Sequence, residues 1–337
     1  MTTLLVGTYT ERMSHVDGHG EGILVAEFDD GRLTTGQVIP ARNPSWLAYD
    51  QQRQVLFAVS EVDDDGEGWV LAFEREQSGR FREVSRCRSG GSYPAHAGFD
   101  SRTGTLIAAN YGSGSIVSIQ FRDGQLRLCD RVQHQGSSID PTRQEGPHAH
   151  QALLDEVAGQ LLVPDLGTDS LQRYRVGSDG GLSHLGGLST RPGTGPRHAT
   201  FVRGGQELVV LNELDASIDR FARDGEEFRF LTTTSLRHPQ PGLAAAIRST
   251  SNDVVLASVR GSNEIAMVSP SGTAPRFFSS GGLEPRDLVV SPGEDYVLVA
   301  NQDSDQVSIF SLDTEAMTVQ PVGSLTVPSP ACLLFLP

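Results

Sequence analysis

His148, Arg197, Glu213 and Arg260 stand where this sequence departs from its own internal repeat, and their types suit one kind of chemistry. A histidine gains and loses a proton near neutrality and can take one from an attacking water. Two arginines offer planar, bidentate donors to a carboxylate or phosphate and positive charge for a developing oxyanion. Glu213 has three uses open to it: orienting His148, holding Arg197, or acting as the base itself. The set fits base-assisted attack of water on a carbonyl of an anionic molecule, with no metal and no cofactor required. A structural reading competes, in which Arg197–Glu213 is an inter-strand salt bridge and His148 a satisfied core residue.

Residues more than a hundred positions apart can act together only if the fold gathers them, and the repeat supplies the means. Short β-rich runs open at Asn43-Pro44-Ser45-Trp46, Tyr93-Pro94-Ala95-His96, Gly146-Pro147-His148-Ala149-His150 and Gly195-Pro196-Arg197-His198. Others open at Glu284-Pro285-Arg286-Asp287 and Ser329-Pro330-Ala331-Cys332, with Gly242-Leu243-Ala244 a degenerate copy. Starts at 44, 94, 147, 196, 243, 285 and 330 are spaced at propeller periods of roughly 40–50 residues. Within each unit a second apolar strand follows (Val55–Val59, Leu106–Ala109, Leu161–Val163, Leu208–Leu211, Val254–Ser258, Val297–Ala300). A third, alternating strand comes next, such as Ile116–Phe121 or Val307–Phe310, and then a more polar fourth.

The chain opens on a second-type strand, Leu4–Tyr9, and closes on a lone first-type strand, Ala331–Phe335. Docking the two together completes a blade and removes the open edges. The predicted fold is all-β: one domain over residues 1–337, a seven-bladed propeller of four-stranded antiparallel blades, its ring closed by the C-terminal strand.

Asn110, Asp165, Asn212 and Asn301 recur at the end of the second strand and read as turn-bonding, structural residues. The residue after the blade-opening proline varies instead (His148, Arg197, Arg286), as does the one following the second strand (Glu213, Arg260). Because the first two strands run antiparallel, the start of one lies beside the end of the other. Arg197 is thus expected to face Glu213, with His148 and Arg260 arriving from the neighbouring blades. Arg286 is a further anion-binding candidate, an ion pair with Asp287 or Glu284 being its alternative. His96, His150 and His198 are candidates to line the channel, with core or turn roles as the alternative.

Composition narrows the partners. The net charge is −15, which disfavours nucleic acid and anionic membranes. Every basic residue is arginine, so a lysine Schiff base or P-loop lysine is excluded. Three scattered cysteines, no basic leader at Met1–Gly7 and no apolar run of spanning length lead to an expectation of a cytoplasmic protein. The loop His15-Val16-Asp17-Gly18-His19 is the one weak metal candidate, and Asp63–Glu67 lacks EF-hand spacing. No Gly-x-Ser-x-Gly elbow or Cys-x-x-Cys pair occurs.

Several runs carry a family likeness: Gly7-Thr8-Tyr9-Thr10, Ala109-Asn110-Tyr111-Gly112-Ser113-Gly114-Ser115, Gly146-Pro147-His148-Ala149-His150 and Val163-Pro164-Asp165-Leu166-Gly167-Thr168-Asp169. Gly195-Pro196-Arg197-His198, Leu211-Asn212-Glu213-Leu214 and Val299-Ala300-Asn301-Gln302-Asp303-Ser304-Asp305 complete the set. Over essentially its whole length the chain resembles the lactonase family of seven-bladed propellers, which includes propeller-type 6-phosphogluconolactonase and the fungal carboxymuconate-lactonising enzyme. The resemblance implies a functional set at His148, Arg197, Glu213 and Arg260, and a small anionic lactone or sugar phosphate as substrate. Val259-Arg260-Gly261-Ser262 departs from the family pattern, which has Asn before the arginine and His after the glycine. The expected activity is metal-independent lactone hydrolysis of the 6-phosphogluconolactonase kind. The alternatives are a cycloisomerase running the lactone-forming direction and a non-catalytic binding propeller.

Overall fold

A computed structural model describes residues 1–237, 242–272 and 274–337. Among them are seven four-stranded antiparallel sheets in chain order. The first joins Thr2–Thr8, Ile23–Asp29 and Arg32–Ile39 to the final strand Pro330–Phe335. The second holds Trp46–Asp50, Val55–Asp64, Glu67–Arg75 and Phe81–Arg88, and the third Pro94–Asp100, Thr105–Asn110, Ser115–Arg122 and Gln125–Gln133. Leu153–Asp155, Gln160–Asp165, Ser170–Val176 and Leu182–Ser189 form the fourth; Pro196–Val202, Glu207–Asn212, Ser217–Asp224 and Glu227–Ser235 the fifth. The sixth begins with Leu243–Ser249 and Val255–Arg260, the seventh with Pro285–Val290 and Tyr296–Asn301. The second strands fall where the apolar runs predicted them.

The contacts gather into two compact units. One comprises Met1–Pro44, Thr200–Ala222 and Arg229–Pro337; the other comprises Ser45–Ala199 and Arg223–Phe228. In the first unit, closure takes the expected form: Leu4 pairs with Phe335, Val6 with Leu333 and Gly7 with Cys332. Leu333, Leu4 and Val6 pack with Leu298, Val307 and Ile309 of the seventh sheet, so the last strand buries apolar surface as well as satisfying an edge. Asp287 clamps this joint: its carboxylate accepts from Leu333 N at 2.9 Å and from Arg248 at 2.8 Å.

In the second unit, Phe57, Val59 and Ala72 interlock with Leu106, Val117 and Ile119, while Ile107 and Ile116 meet Leu161 and Val163. Period-two alternation thus buries one face of each strand against the next sheet. The fourth strands are mostly exposed, as their polarity predicts; Gln125–Gln133 keeps a single buried residue, Leu126.

One departure matters for the site. The fourth sheet's opening strand is only Leu153–Asp155, joined upstream by an isolated bridge between Ala149 and Asp165. Two backbone bonds persist there, His150 N to the Pro164 carbonyl (2.9 Å) and Leu166 N to the His148 carbonyl (3.0 Å), and side chains add others. Asp165 Oδ1 accepts from His148 N (2.8 Å), and His96 Nδ1 accepts from Ala152 N (3.3 Å). Gln151 accepts from Ala199 N (2.6 Å) through its Oε1 and donates to the carbonyl of the same residue at 3.3 Å.

The loop between the first two strands folds into a small hairpin, Arg12–Met13 with Val16–Asp17, that sequence periodicity did not reveal. His19 follows it, its Nδ1 2.7 Å from the Asp17 carbonyl and its Nε2 3.0 Å from Asp305. His15 packs edge-on against Tyr9. Among the described residues, no group of three or more His, Cys, Asp or Glu could hold a metal ion. The Asp17 carbonyl first, then Asp305, raise the His19 pKa above its ordinary 6.5. The sign follows from linkage: the contribution to stability is present below the unfolded value and is lost as pH rises through the folded one. His19 is expected to titrate by NMR above 6.5, and Asp305→Asn to move it back down. No movement would remove Asp305 as a cause.

Candidate active site

The second unit brings His148, His150, His96, His198 and Arg197 into one run of packed rings. Tyr111 stacks on His148 (centroids 4.6 Å, 20°) and meets His150 edge-on at 5.4 Å. His150 meets His198 at 5.2 Å, and His198 meets His96 at 5.6 Å and Trp46 at 5.3 Å. Trp46 and His96 stack at 4.1 Å, and Arg197 reaches the His198 ring at 3.4 Å. His96, His150 and His198 are all buried. His96 spends Nδ1 on Ala152, so its place is to support the opening strands.

His148 keeps 12% of its side chain exposed, and its two ring nitrogens differ. Nδ1 lies 2.9 Å from the Tyr111 carbonyl, which can only accept; Nδ1 therefore carries hydrogen, and in the neutral ring Nε2 is left as the proton acceptor. Glu145 Oε1 is 3.2 Å from that Nε2. Sequence reasoning missed Glu145; its only signal was a carboxylate three residues before the histidine. Arg143 bonds the Tyr111 hydroxyl at 3.2 Å, bracing the ring on which His148 stacks. Gly167 packs under the imidazole: a Cβ there would come within 2.9 Å of His148 Cδ2 and collide with the Gly146 carbonyl oxygen.

In the other unit Glu213 and Arg260 form an ion pair (3.1 Å) that is almost wholly buried. Among the described residues, Arg260 Nε is buried with no hydrogen-bond partner. Arg260 lines a cavity of about 350 Å³ with Arg237, Leu214, Leu243 and Glu284. Glu284 accepts from Gly261 N at 3.0 Å, and Arg286 lies over the Tyr9 ring at 4.9 Å. Burial pushes the Cys87 thiol up to about 12, which disqualifies it as a nucleophile at neutral pH. No disulfide joins Cys87, Cys129 and Cys332.

Seven four-stranded antiparallel sheets, the first completed by the last strand of the chain, define a seven-bladed β-propeller. Residues 3–335 match the family described as lactonase, 7-bladed beta-propeller. The chain belongs to that lactonase family, whose substrates are small lactones. It is similar to the 6-phosphogluconolactonase of Bacillus subtilis (28% identity, 98% of this chain and 97% of the relative). Another similar protein is a 6-phosphogluconolactonase of Formosa agariphila (26% identity, 94% of each chain). Among solved structures it is similar to the periplasmic gluconolactonase PpgL of Pseudomonas aeruginosa, with TM-score 0.90 and 30% identity over 100% of this chain and 99% of that one. No helix among the described residues is long and apolar enough to cross a membrane.

Proposed function

We propose that this lactonase hydrolyses a phosphorylated sugar lactone, 6-phosphogluconolactone or a close analogue, to the sugar acid, without a metal. The observation that carries the reading is the asymmetry of His148, one nitrogen committed to the Tyr111 carbonyl and the other turned toward Glu145. The names of the similar proteins support the substrate class.

In this mechanism His148 Nε2 takes a proton from water as the water oxygen bonds to the lactone carbonyl carbon. The carbonyl π electrons move to oxygen, and Arg197 is the cation assigned to that oxyanion. Collapse of the tetrahedral intermediate breaks the ring C–O bond, and Nε2 returns its proton to the departing alkoxide. Between the two steps the imidazolium donates to Glu145. Arg260, which lines a cavity of its own, and Arg286 are kept as candidates for binding an anion, with no step of this mechanism assigned to them. The reading places the activity in the cytoplasm, although the similar Pseudomonas protein is described as periplasmic.

The test is turnover of freshly generated 6-phosphogluconolactone, corrected for spontaneous opening, beside unphosphorylated gluconolactone and carboxymuconate. Acceleration is expected for the phosphorylated lactone above all; acceleration of neither lactone would reject the reading, and conversion of carboxymuconate would favour the lactone-forming direction. The Glu145 side chain is 58% exposed, so its pairing with the imidazolium is a surface ion pair. Such a pair is worth about 0.2–1 kcal/mol, and Glu145→Gln is expected to lower kcat only about two- to fivefold.

A further inference from the structure

We infer that the turn Asp165-Leu166-Gly167-Thr168-Asp169 positions the site from beneath, Asp165 holding His148 and Asp169 holding the segment that delivers Arg197. This inference rests on the reading of His148 and Arg197 given above.

Asp165 is fully buried and collects four donors. Its Oδ1 accepts from the backbone N–H groups of His148 (2.8 Å), Gly167 (3.1 Å) and Thr168 (3.2 Å), and its Oδ2 lies 2.6 Å from His134 Nδ1. The corresponding residues in the third, fifth and seventh sheets are Asn110, Asn212 and Asn301. Asn110 and Asn301 donate to the carbonyls of Ser89 and Ser280, and Asn212 to Ser217 and Asp219. Only in the fourth sheet is the residue an acid, and there the preceding fourth strand is followed by a ring donor, His134, buried against Tyr174. The exchange of amide for carboxylate provides an acceptor for His148 N where the opening ladder is broken.

Asp169, four residues on and also buried, does the same for the next segment. Its Oδ2 accepts from Gly193 N (2.6 Å) and from the Ser138 hydroxyl (2.5 Å), and its Oδ1 from Gly195 N (2.8 Å). Gly195 is two residues before Arg197, and Ser138 lies in the loop that leads to Glu145 and His148. One short turn thus ties down both segments that carry the assigned base and its cation. The charged and polar groups facing His148 are Glu145 at Nε2, the Tyr111 carbonyl at Nδ1 and Asp165 at the backbone.

The experiment compares Asp165→Asn and Asp169→Asn with the unaltered chain for kcat, KM and, by NMR, the hydrogen exchange of the His148 backbone N–H. Asp165→Asn is expected to lower kcat about tenfold or more with KM within about twofold. The His148 backbone N–H should also exchange faster with solvent, because a neutral amide oxygen accepts from it less strongly than the carboxylate does. Asp169→Asn is expected to raise KM at least about fivefold and leave the His148 N–H exchange unchanged. Both variants losing thermal stability, with kcat, KM and the His148 N–H exchange unmoved at a temperature where they are folded, would overturn the inference. Should Asp165→Asn not fold, His134→Gln, which keeps the carboxylate but removes its ring donor, takes its place. A kcat lowered about threefold supports the inference, and an unchanged kcat overturns it. If the unaltered chain opens no lactone, the hydrolytic reading fails, while the His148 N–H exchange still decides whether Asp165 holds that residue in place.

Discussion

Replacing His148 by alanine is expected to lower kcat for the phosphorylated lactone by about 10²–10⁴-fold, the usual contribution of a positioned general base. The magnitude follows from how specifically the ring is held. The Tyr111 carbonyl dictates the tautomer, Tyr111 stacks on one face, and Gly167 leaves room for the ring edge. A water admitted into the truncated space has no group at the Nε2 position to take its proton. KM should move little, because the imidazole acts on the attacking water rather than on the substrate's anionic group. Steady-state rates of the folded variant beside the unaltered chain make the check. Unchanged turnover in a folded His148→Ala protein would remove the proposed base, and with it the mechanism.

The second large effect concerns stability. Asp155, at the end of the fourth sheet's shortened opening strand, accepts both amino groups of Arg223 at 2.8 and 2.9 Å. Its side chain is 1% exposed and that of Arg223 6%. The same carboxylate caps the turn through Val157 N and Ala158 N, and the Arg223 guanidinium covers Phe228 at 4.9 Å. Arg223→Met leaves that carboxylate buried with its two strongest donors gone, so about 3–5 kcal/mol of stability should be lost. For a chain of this length, unfolding cooperatively, that corresponds to a melting temperature lower by about 4–7 °C. The double variant Asp155→Leu/Arg223→Met should lose less than the sum of the singles, since removing both charges leaves neither stranded. Additive losses in calorimetry would mean that the pair is not coupled.

How much was legible in advance differs from residue to residue. Alternation and punctuation are local properties, so the strand order and the pairing of Leu4–Gly7 with Cys332–Phe335 could be read from the chain, whereas Asn110 and Asn301, expected to bond their own turns, reach carbonyls 21 residues earlier and Asn212 bonds side chains. His148 and Arg197 were legible because a repeat makes its exceptions visible. Asp165 was grouped with the asparagines, and it does bond its own turn. Its larger task, accepting from His148 N and His134, depends on a contact 31 residues back that no periodicity signals. The shortened opening strand of the fourth sheet was likewise unreadable, because its flanking residues bond distant partners, His96 to Ala152 N and Gln151 to Ala199 of the fifth sheet.

The order of residues alone therefore determined the propeller, its seven blades and which opening positions carry titratable side chains, since these follow from β periodicity repeated at a fixed interval. Tertiary structure alone decided that Glu145 is the carboxylate at Nε2, that the Tyr111 carbonyl sets the tautomer, and that Glu213 is bound to Arg260. A hydrogen bond requires two atoms within about 3 Å of each other. Which atoms come that close is settled by how loops from different blades are clamped, and the clamps, Asp165 and Asp169 among them, exist only once the sheets have packed.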